Sequence, residues 1–271
     1  MYIIISHDVD HLYGRDHWFR DLIYPKLWVR SSIQLVKRQI SAKEWYLRCL
    51  SAFRHKRNNV EEVMHFDKEN GVPSTFFFGM NQGLGMSYKP SEAKDIILKV
   101  HNAGFDVGVH GINYESKEGI EKEYKLFKNT VGFDPCGIRM HYVRFDDKTF
   151  EYESQVGYCF DSTDFDKNNN GTRKNPYKVG EMWEFPLSIM DGYLPDKYEL
   201  MKKTTIKLLE ECNNKHMEFV TILFHDCYFC TEYKDLYKWY KWLITYIKKR
   251  YQFISFIDAV DALNNNHKCW K

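Results

Sequence analysis

Five short segments hold most of the side chains in this 271-residue chain that could do acid, base or metal chemistry. The first is Ser6-His7-Asp8-Val9-Asp10-His11, with two carboxylates and two imidazoles in six residues. The others are Val109-His110-Gly111-Ile112-Asn113-Tyr114-Glu115, Gly137-Ile138-Arg139-Met140-His141-Tyr142, Phe160-Asp161-Ser162-Thr163-Asp164 and Leu223-Phe224-His225-Asp226. Neighbouring carboxylates with a remote histidine supply one group to hold a metal and one to take a proton. A second histidine then supplies a general acid near neutral pH. Taken singly, each segment has a packing explanation: Asp8 or Asp10 caps a helix, His110 and His225 are satisfied core histidines, Arg139 pairs with a structural carboxylate. Taken together they resist that explanation, because buried charges are costly unless paired or ligated.

The elements that must position these groups read as alternating strands and helices, which argues for parallel strands joined by crossover helices. Strands are expected at Tyr2 to Ser6, Ser74 to Gly79, Asp106 to His110, Gly137 to Met140, Cys159 to Asp161, Met182 to Pro186, Phe219 to Phe224 and Gln252 to Phe256. The fold class is therefore α/β, a (β/α) barrel of seven or eight parallel strands, in which chemistry belongs at the C-terminal strand ends where the five segments fall. Ala93, Ile96, Ile97 and Val100 follow helical spacing, with Ser91 as N-cap and Gly104 as stop, and Leu236, Trp239, Tyr240, Leu243, Ile244 and Ile247 repeat the pattern. Residues 11 to about 60 break the rhythm and read as a helical insertion after the first strand of a single domain spanning 1–271. The segment 166–180, rich in Asn, Lys and Gly, reads as a mobile loop able to cover the cleft.

In order and character these segments resemble the five motifs of the polysaccharide deacetylase family, the NodB-like carbohydrate esterases (carbohydrate esterase family 4-like). The resemblance implies a distorted (β/α) barrel and metal-assisted removal of an acetyl group by water. It implies Asp8 as general base, His110 as the first histidine ligand, and Arg139 as the arginine that orients the base. It further implies the backbone N–H of Tyr142 as oxyanion donor, His225 as the acid that protonates the leaving group, and Asp161 or Asp164 as the acidic group near that histidine. Two positions depart from the family pattern. The metal aspartate that usually follows the base directly is replaced by Val9, leaving Asp10 as the candidate ligand, and the second histidine ligand is replaced by Tyr114. A third ligand is then expected from His11, His7, Tyr114 or Glu115, with a metal-free or inactive site as alternatives.

The implied cofactor is a divalent metal, zinc in first place, with cobalt, nickel or manganese as alternatives. The implied substrate is an N-acetylated or O-acetylated sugar, nucleotide-linked or lipid-linked, serving as a cytoplasmic precursor of surface polysaccharide such as lipopolysaccharide or capsule. Two rival readings are a metal-independent C–N amide hydrolase of the same superfamily and a catalytically silent carbohydrate-binding protein.

Composition bounds these readings. With 39 Lys and Arg against 37 Asp and Glu the net charge is +2, which argues against a nucleic-acid binder. Hydrophobic residues make up 44% and charged ones 28%, as in a globular chain that buries a core. Seven scattered cysteines do not form a secreted disulfide framework, and the apolar opening is too short for a signal-peptide core, so a cytoplasmic location is expected. Cys227 and Cys230 have redox or half-zinc spacing but no second pair, and read as packing residues on the site wall. Charge is unevenly spread: residues 11–60 carry eleven Lys/Arg and three Asp/Glu, hence +8, which leaves −6 for the rest. Trp18, Phe19, Trp28, Trp45 and Tyr46 interleave there with Arg15, Arg20, Arg30, Lys37, Arg38 and Arg48. The favoured reading is a hairpin that packs its aromatics on the barrel and shows a solvated basic face. The sharper one is a phosphate or peripheral membrane contact.

Overall fold

The computed structural model describes residues 1–18 and 22–265. Phe19, Arg20 and Cys269 lie outside them. The first strand, β1 (Tyr2–Val9), leads into the insertion, which contains α1 (Ile23–Val36) and α2 (Ala42–Ser51). There follow α3 (Val60–Asn70), β2 (Thr75–Gly79), α4 (Pro90–Asn102), β3 (Asp106–Gly111), α5 (Lys117–Val131), β4 (Ile138–Met140), α6 (Thr149–Val156) and β5 (Phe160–Asp161). The rest comprises β6 (Tyr177–Val179), β7 (Met182–Glu184), β8 (Leu187–Met190), α7 (Tyr198–Asn214), β9 (Phe219–Leu223), α8 (Lys234–Lys248), β10 (Gln252–Phe253) and α9 (Phe256–Asn264).

The strands form one ten-stranded sheet in the order β6-β7-β5-β4-β3-β2-β1-β9-β8, with β10 against β1. Every pairing is parallel except that of β6 with β7. The curled sheet brings its two ends together through the chain itself: β7 pairs with β5, β8 pairs with β9, and only Phe185 and Pro186 separate β7 from β8. The expected seven or eight parallel strands therefore become ten strands, one of them antiparallel. The two unforeseen strands are β6, inside the segment read as mobile, and β8, which follows Pro186. The segment read as a loop over the cleft is tied in place: Asp166 accepts from the backbone of Asn168 and Asn169, Thr172 N donates to Leu187 O (2.9 Å), and Tyr177–Val179 is paired, while Lys167 lines the cleft. Of the expected Gln252 to Phe256 strand only Gln252–Phe253 forms β10, because Ser255 accepts from Asp258 N (3.0 Å) and starts α9. Likewise Pro90 opens α4, so Lys89 rather than Ser91 stands at its N-cap.

Strand parity sorts β1 into two faces. Ile4 joins Phe77, Phe160, Phe185, Phe219 and Phe256 in a buried aromatic floor inside the curl. Ile3, Ile5 and Val9 face the outer core under the helices. Gly108 of β3 has no side chain because a Cβ there would lie 2.9 Å from the Phe77 ring and 2.6 Å from Gly137 O. This close approach lets β2, β3 and β4 curl tightly beneath the site.

The insertion is a helical hairpin, as expected. Its indoles pack within the hairpin rather than, as expected, on the barrel: Trp18 Nε1 donates to Ala52 O, Trp28 Nε1 to Cys49 O and Trp45 Nε1 to Ser32 Oγ. Arg48 of α2 crosses to Glu232 O (3.0 Å) and lies over the Tyr233 ring, while Asn59 N donates to Asp226 Oδ2 (2.7 Å), so α2 and the segment leading to α3 are tied to the loop after β9. The outer face, however, is not purely basic, since Val29, Ile33, Val36, Tyr46, Leu50 and Phe53 are exposed.

Candidate active site

Asp8, Asp10, His110, His141, Tyr142 and His225 line one cleft of about 810 Å3 at the C-terminal strand ends. Parity explains the first pair. Asp8 stands near the end of β1 on the interior face, and Asp10, two residues on, falls on the same side, so the intervening Val9 moves the second carboxylate along the strand without turning it away. His110 and Arg139 are register partners on β3 and β4, and His141 follows Arg139 by the same two-residue step.

Arg139 is fully buried and fixed by five contacts. Its Nε donates to Ser162 O (2.8 Å), Nη2 to Ser162 Oγ (2.9 Å), and Nη1 to Ser6 Oγ (2.8 Å) and Asp8 Oδ1 (3.0 Å), with the guanidinium 4.7 Å from the Phe77 ring centroid. One oxygen of Asp8 is thereby held, while Oδ2 lies 3.7 Å from His110 Nε2 on the cleft side.

Three ligand atoms converge beside it: Asp10 Oδ1, His110 Nε2 and His141 Nδ1 all lie within 4.8 Å of one another. His110 Nε2 is 2.9 Å from His141 Nδ1 and 3.2 Å from Asp10 Oδ1, which is 3.4 Å from His141 Nδ1. The far nitrogens are committed to carbonyls, His110 Nδ1 to Arg139 O (2.9 Å) and His141 Nε2 to Leu84 O (3.1 Å). A neutral ring that donates on its far side presents a lone pair on its near side, so two lone pairs and a carboxylate meet at one point. Asp10 Oδ1 is buried there with no hydrogen-bond partner. With no cation present, burial alone would raise the Asp10 carboxyl, but the charge and hydrogen bonds of protonated His141 and His110 outweigh it and hold the group well below the ordinary range. A divalent cation satisfies this donor set, with ring orientation fixed from behind as in known metal sites.

The third member of this candidate ligand set is His141, and none of the four residues expected from sequence stands in it. His7, on the opposite face of β1, is buried between Phe224 O and Asp67, which also accepts from Tyr240 and Ser74. His11 lines the cleft, edge-on to His17, but is not one of the three. Tyr114 turns away, its ring under the Arg144 guanidinium and its carbonyl accepting from Thr149 Oγ1. Glu115 is exposed beside it.

His225 stands opposite, with Nε2 3.8 Å from Asp10 Oδ2. Its acidic partner is Asp191, directly after β8: Nδ1 is 2.8 Å from Asp191 Oδ1, and the backbone N–H of His225 donates to Asp191 Oδ2 (2.6 Å). Burial works against the imidazolium, but the charge and hydrogen bond of Asp191, with Asp10 and Asp8 behind them, lift His225 to about 10. Asp161 and Asp164 do not play this part. Asp161 is buried against Thr163 Oγ1 (2.6 Å), and Asp164 accepts from Thr172 and Tyr177. Sequence reasoning missed Asp191 because β8 was missed, and the Met190–Leu223 register is what sets it beside His225.

Tyr142 and Val143 both sit at left-handed φ (58° and 46°), which for a β-branched valine costs about 1–3 kcal/mol and marks a segment held by its surroundings. The Tyr142 side chain reaches Leu84 O (3.0 Å) across the cleft. Cys227 lines the cleft wall and its carbonyl lies 3.5 Å from Cys230 Sγ, in keeping with a packing role. No helix among the described residues is long and apolar enough to cross a membrane.

No protein-family model matches the chain, and no curated protein matches it by sequence. Solved structures do. A protein assigned as a polysaccharide deacetylase from Mycobacterium smegmatis matches with a TM-score of 0.65 at 15% identity, covering 98% of this chain and 90% of that one. Puue allantoinase matches at 0.59 and 14% identity over 98% and 91% of the two chains. A CE4-family pseudoenzyme from Bacillus anthracis matches at 0.53 and 10% over 96% and 65%. A protein assigned as a deacetylase, an allantoinase and a pseudoenzyme share this architecture, so the likeness speaks for the scaffold and leaves chemistry to the side chains. The chain has the fold of the polysaccharide deacetylases, a distorted α/β barrel with its reactive groups at the C-terminal strand ends.

Proposed function

We propose that this protein is a metal-dependent deacetylase that hydrolyses the acetyl group of an N-acetylated or O-acetylated sugar. The observation that carries the reading is the meeting, in one cleft, of an arginine-held carboxylate, a three-atom ligand set and a carboxylate-paired histidine. A sugar-binding barrel has no need of that combination.

Asp10, His110 and His141 would hold the cation, zinc in the first instance. When bound it would polarise the acetyl carbonyl and acidify water. Asp8, with one oxygen pinned by Arg139, takes the proton from the attacking water as its oxygen bonds to the carbonyl carbon. The N–H of Tyr142 is the candidate donor to the oxygen that gains charge. His225, kept protonated by Asp191, gives its proton to the departing nitrogen or oxygen, the C–N or C–O bond breaks, and acetate and the free amine or alcohol leave. Asp191 keeps Nδ1 as the donating side of the ring and so leaves Nε2 facing the cleft.

The proposed substrate is a nucleotide- or lipid-linked precursor of surface polysaccharide, processed in the cytoplasm. The scattered cysteines and the Lys26 and Arg30 side chains on the cleft wall support an anionic precursor in a reducing compartment. The test is acetate release over a panel of nucleotide- and lipid-linked N-acetyl sugars, with the enzyme chelated and then reconstituted with zinc, cobalt, nickel or manganese. Turnover that follows metal content and vanishes in Asp8→Asn supports the reading. Turnover indifferent to chelation would assign the site to metal-independent amide hydrolysis, and sugar binding without turnover would assign it to a silent barrel.

A further inference from the structure

Seven of the eleven large hydrophobic side chains exposed among the described residues lie on the α1–α2 hairpin. On α1 they include Val29, Ile33 and Val36, 63, 50 and 83% exposed, and on α2 and just past its end they continue with Tyr46, Leu50 and Phe53, 57, 43 and 70% exposed. Both sets follow i, i+4, i+7 spacing, so each helix carries an apolar stripe on its outward face while its indoles pack inward. Large apolar stripes left in solvent mark an interaction surface.

The charge around the stripes identifies the occupant. Between residues 22 and 56 the only carboxylate is Glu44, and it closes the N-terminal cap of α2 with Ser41. Lys37, Arg38 and Lys43 are exposed in and beside the turn between the two helices. A second copy of the chain would set +8 against +8 across this face, which argues against self-association. An anionic surface that also accepts apolar side chains fits both features. That is the chemistry of a bilayer interface bearing acidic lipid.

We propose that the α1–α2 hairpin docks the protein peripherally on an anionic membrane surface, with the apolar stripes entering the interfacial region and the basic residues meeting lipid phosphates. The cleft opens beside it. Ile23, Lys26 and Arg30 of α1 line the cleft, one step around the helix from Val29 and Ile33. A docked hairpin therefore places the site at the headgroup level, where an acetylated sugar carried on an anionic lipid is presented. The substrate part of this inference rests on the proposed deacetylase reading, and the docking part does not.

The experiment is co-sedimentation of the full chain with extruded phosphatidylcholine vesicles, with and without phosphatidylglycerol. The expected result is binding to the acidic vesicles that weakens with salt. Lys37→Gln/Arg38→Gln/Lys43→Gln should partition about a hundredfold more weakly, given the usual contribution of a basic residue near such a surface. Ile33→Ser/Val36→Ser should lose most binding even at low salt, with far-ultraviolet circular dichroism confirming the fold of both variants. No binding to acidic vesicles, or binding equal in all variants and on neutral lipid, would overturn the proposal. So would a dimer in sedimentation equilibrium that Ile33→Ser dissociates, since the face would then belong to a second copy. Acetate release is read separately. Turnover of soluble sugars without vesicle binding would sink the docking alone, and vesicle binding without turnover would sink the deacetylase reading alone.

Discussion

The His225–Asp191 pair gives the sharpest quantitative prediction. Holding the imidazole at about 10 rather than the ordinary 6.5 amounts to about 5 kcal/mol in favour of the charged ring. Part of this comes from Asp10, whose charge a bound cation would share, but the Asp191 contribution is unaffected by the metal. Asp191→Asn removes it while keeping an oxygen for the His225 N–H. With burial then opposing charge, the ring returns to about 6.5 or below. At pH 8 about one molecule in thirty would carry the proton, against about three in four at pH 6. The variant should therefore lose about twenty-five-fold in kcat/KM at pH 8 beyond whatever it loses at pH 6, and its basic limb should move down by several pH units. The assay compares acetate release from an N-acetyl sugar with that from 4-nitrophenyl acetate, whose leaving group departs without a proton. The pH-dependent loss should appear with the amide and disappear with the aryl ester. A loss that is uniform across pH, or equal for the two substrates, would refute the role of His225 as an Asp191-charged acid.

Three further outcomes follow from the geometry. His141→Ala should bind zinc at least about a hundredfold more weakly by competitive chelator titration, while Tyr114→Phe and Glu115→Gln should leave affinity unchanged; the reverse pattern would move the third ligand back to the loop after β3. Arg139→Met should cost about 3–5 kcal/mol in urea unfolding at pH 7, because it leaves Asp8 as an uncompensated buried charge, and adding Asp8→Asn should recover much of that loss; no recovery would assign the cost to lost packing over Phe77. Glu153, Asp161 and Glu184 form a buried acidic group, all pushed upward chiefly by burial, with both oxygens of Glu153 lacking a hydrogen-bond partner. Folded-state values above the unfolded ones mean that stability is fullest at low pH and declines as pH rises through them, so Glu153→Gln should flatten the fall in denaturant midpoint between pH 5 and 9. Parallel curves for the two proteins would refute this.

The parts of the fold that were legible are those in which a strand is buried on both faces. Ile3-Ile4-Ile5 and Phe76-Phe77-Phe78 read as strands because neither face meets water. The groups at their ends, Asp8, His110, Arg139 and His225, could be named from local sequence. What escaped was set by register between distant segments. Tyr177–Val179 lies in a polar stretch whose pairing with Met182–Glu184 shows no apolar alternation, and Leu187–Met190 is hidden behind Pro186. With β8 went Asp191, so the partner of His225 was sought on Asp161 and Asp164, two positions with hydrogen-bond commitments elsewhere. The hairpin was legible as helical and basic, but the outward turn of Val29, Ile33 and Val36 depends on which face packs inward.

The two departures from the deacetylase pattern, Val9 and Tyr114, have one geometric explanation. Moving the metal carboxylate from the position after Asp8 to Asp10 keeps it on the interior face but carries it one step beyond the end of β1. A ligand set centred there is no longer reached from Tyr114, whose backbone is drawn toward α6 by the Thr149 hydroxyl. It is reached from beyond β4, where His141 stands two residues past Arg139 just as Asp10 stands two past Asp8. The β3–β4 register sets Arg139 beside His110 and so brings His141 to His110 Nε2. Just past the end of each strand stands a candidate ligand, two residues beyond Asp8 on β1 and two beyond Arg139, which holds Asp8, on β4. A sequence pattern that seeks the second histidine in the loop after β3 reads the site as broken, whereas the folded sheet brings a nitrogen to His110 from just past β4.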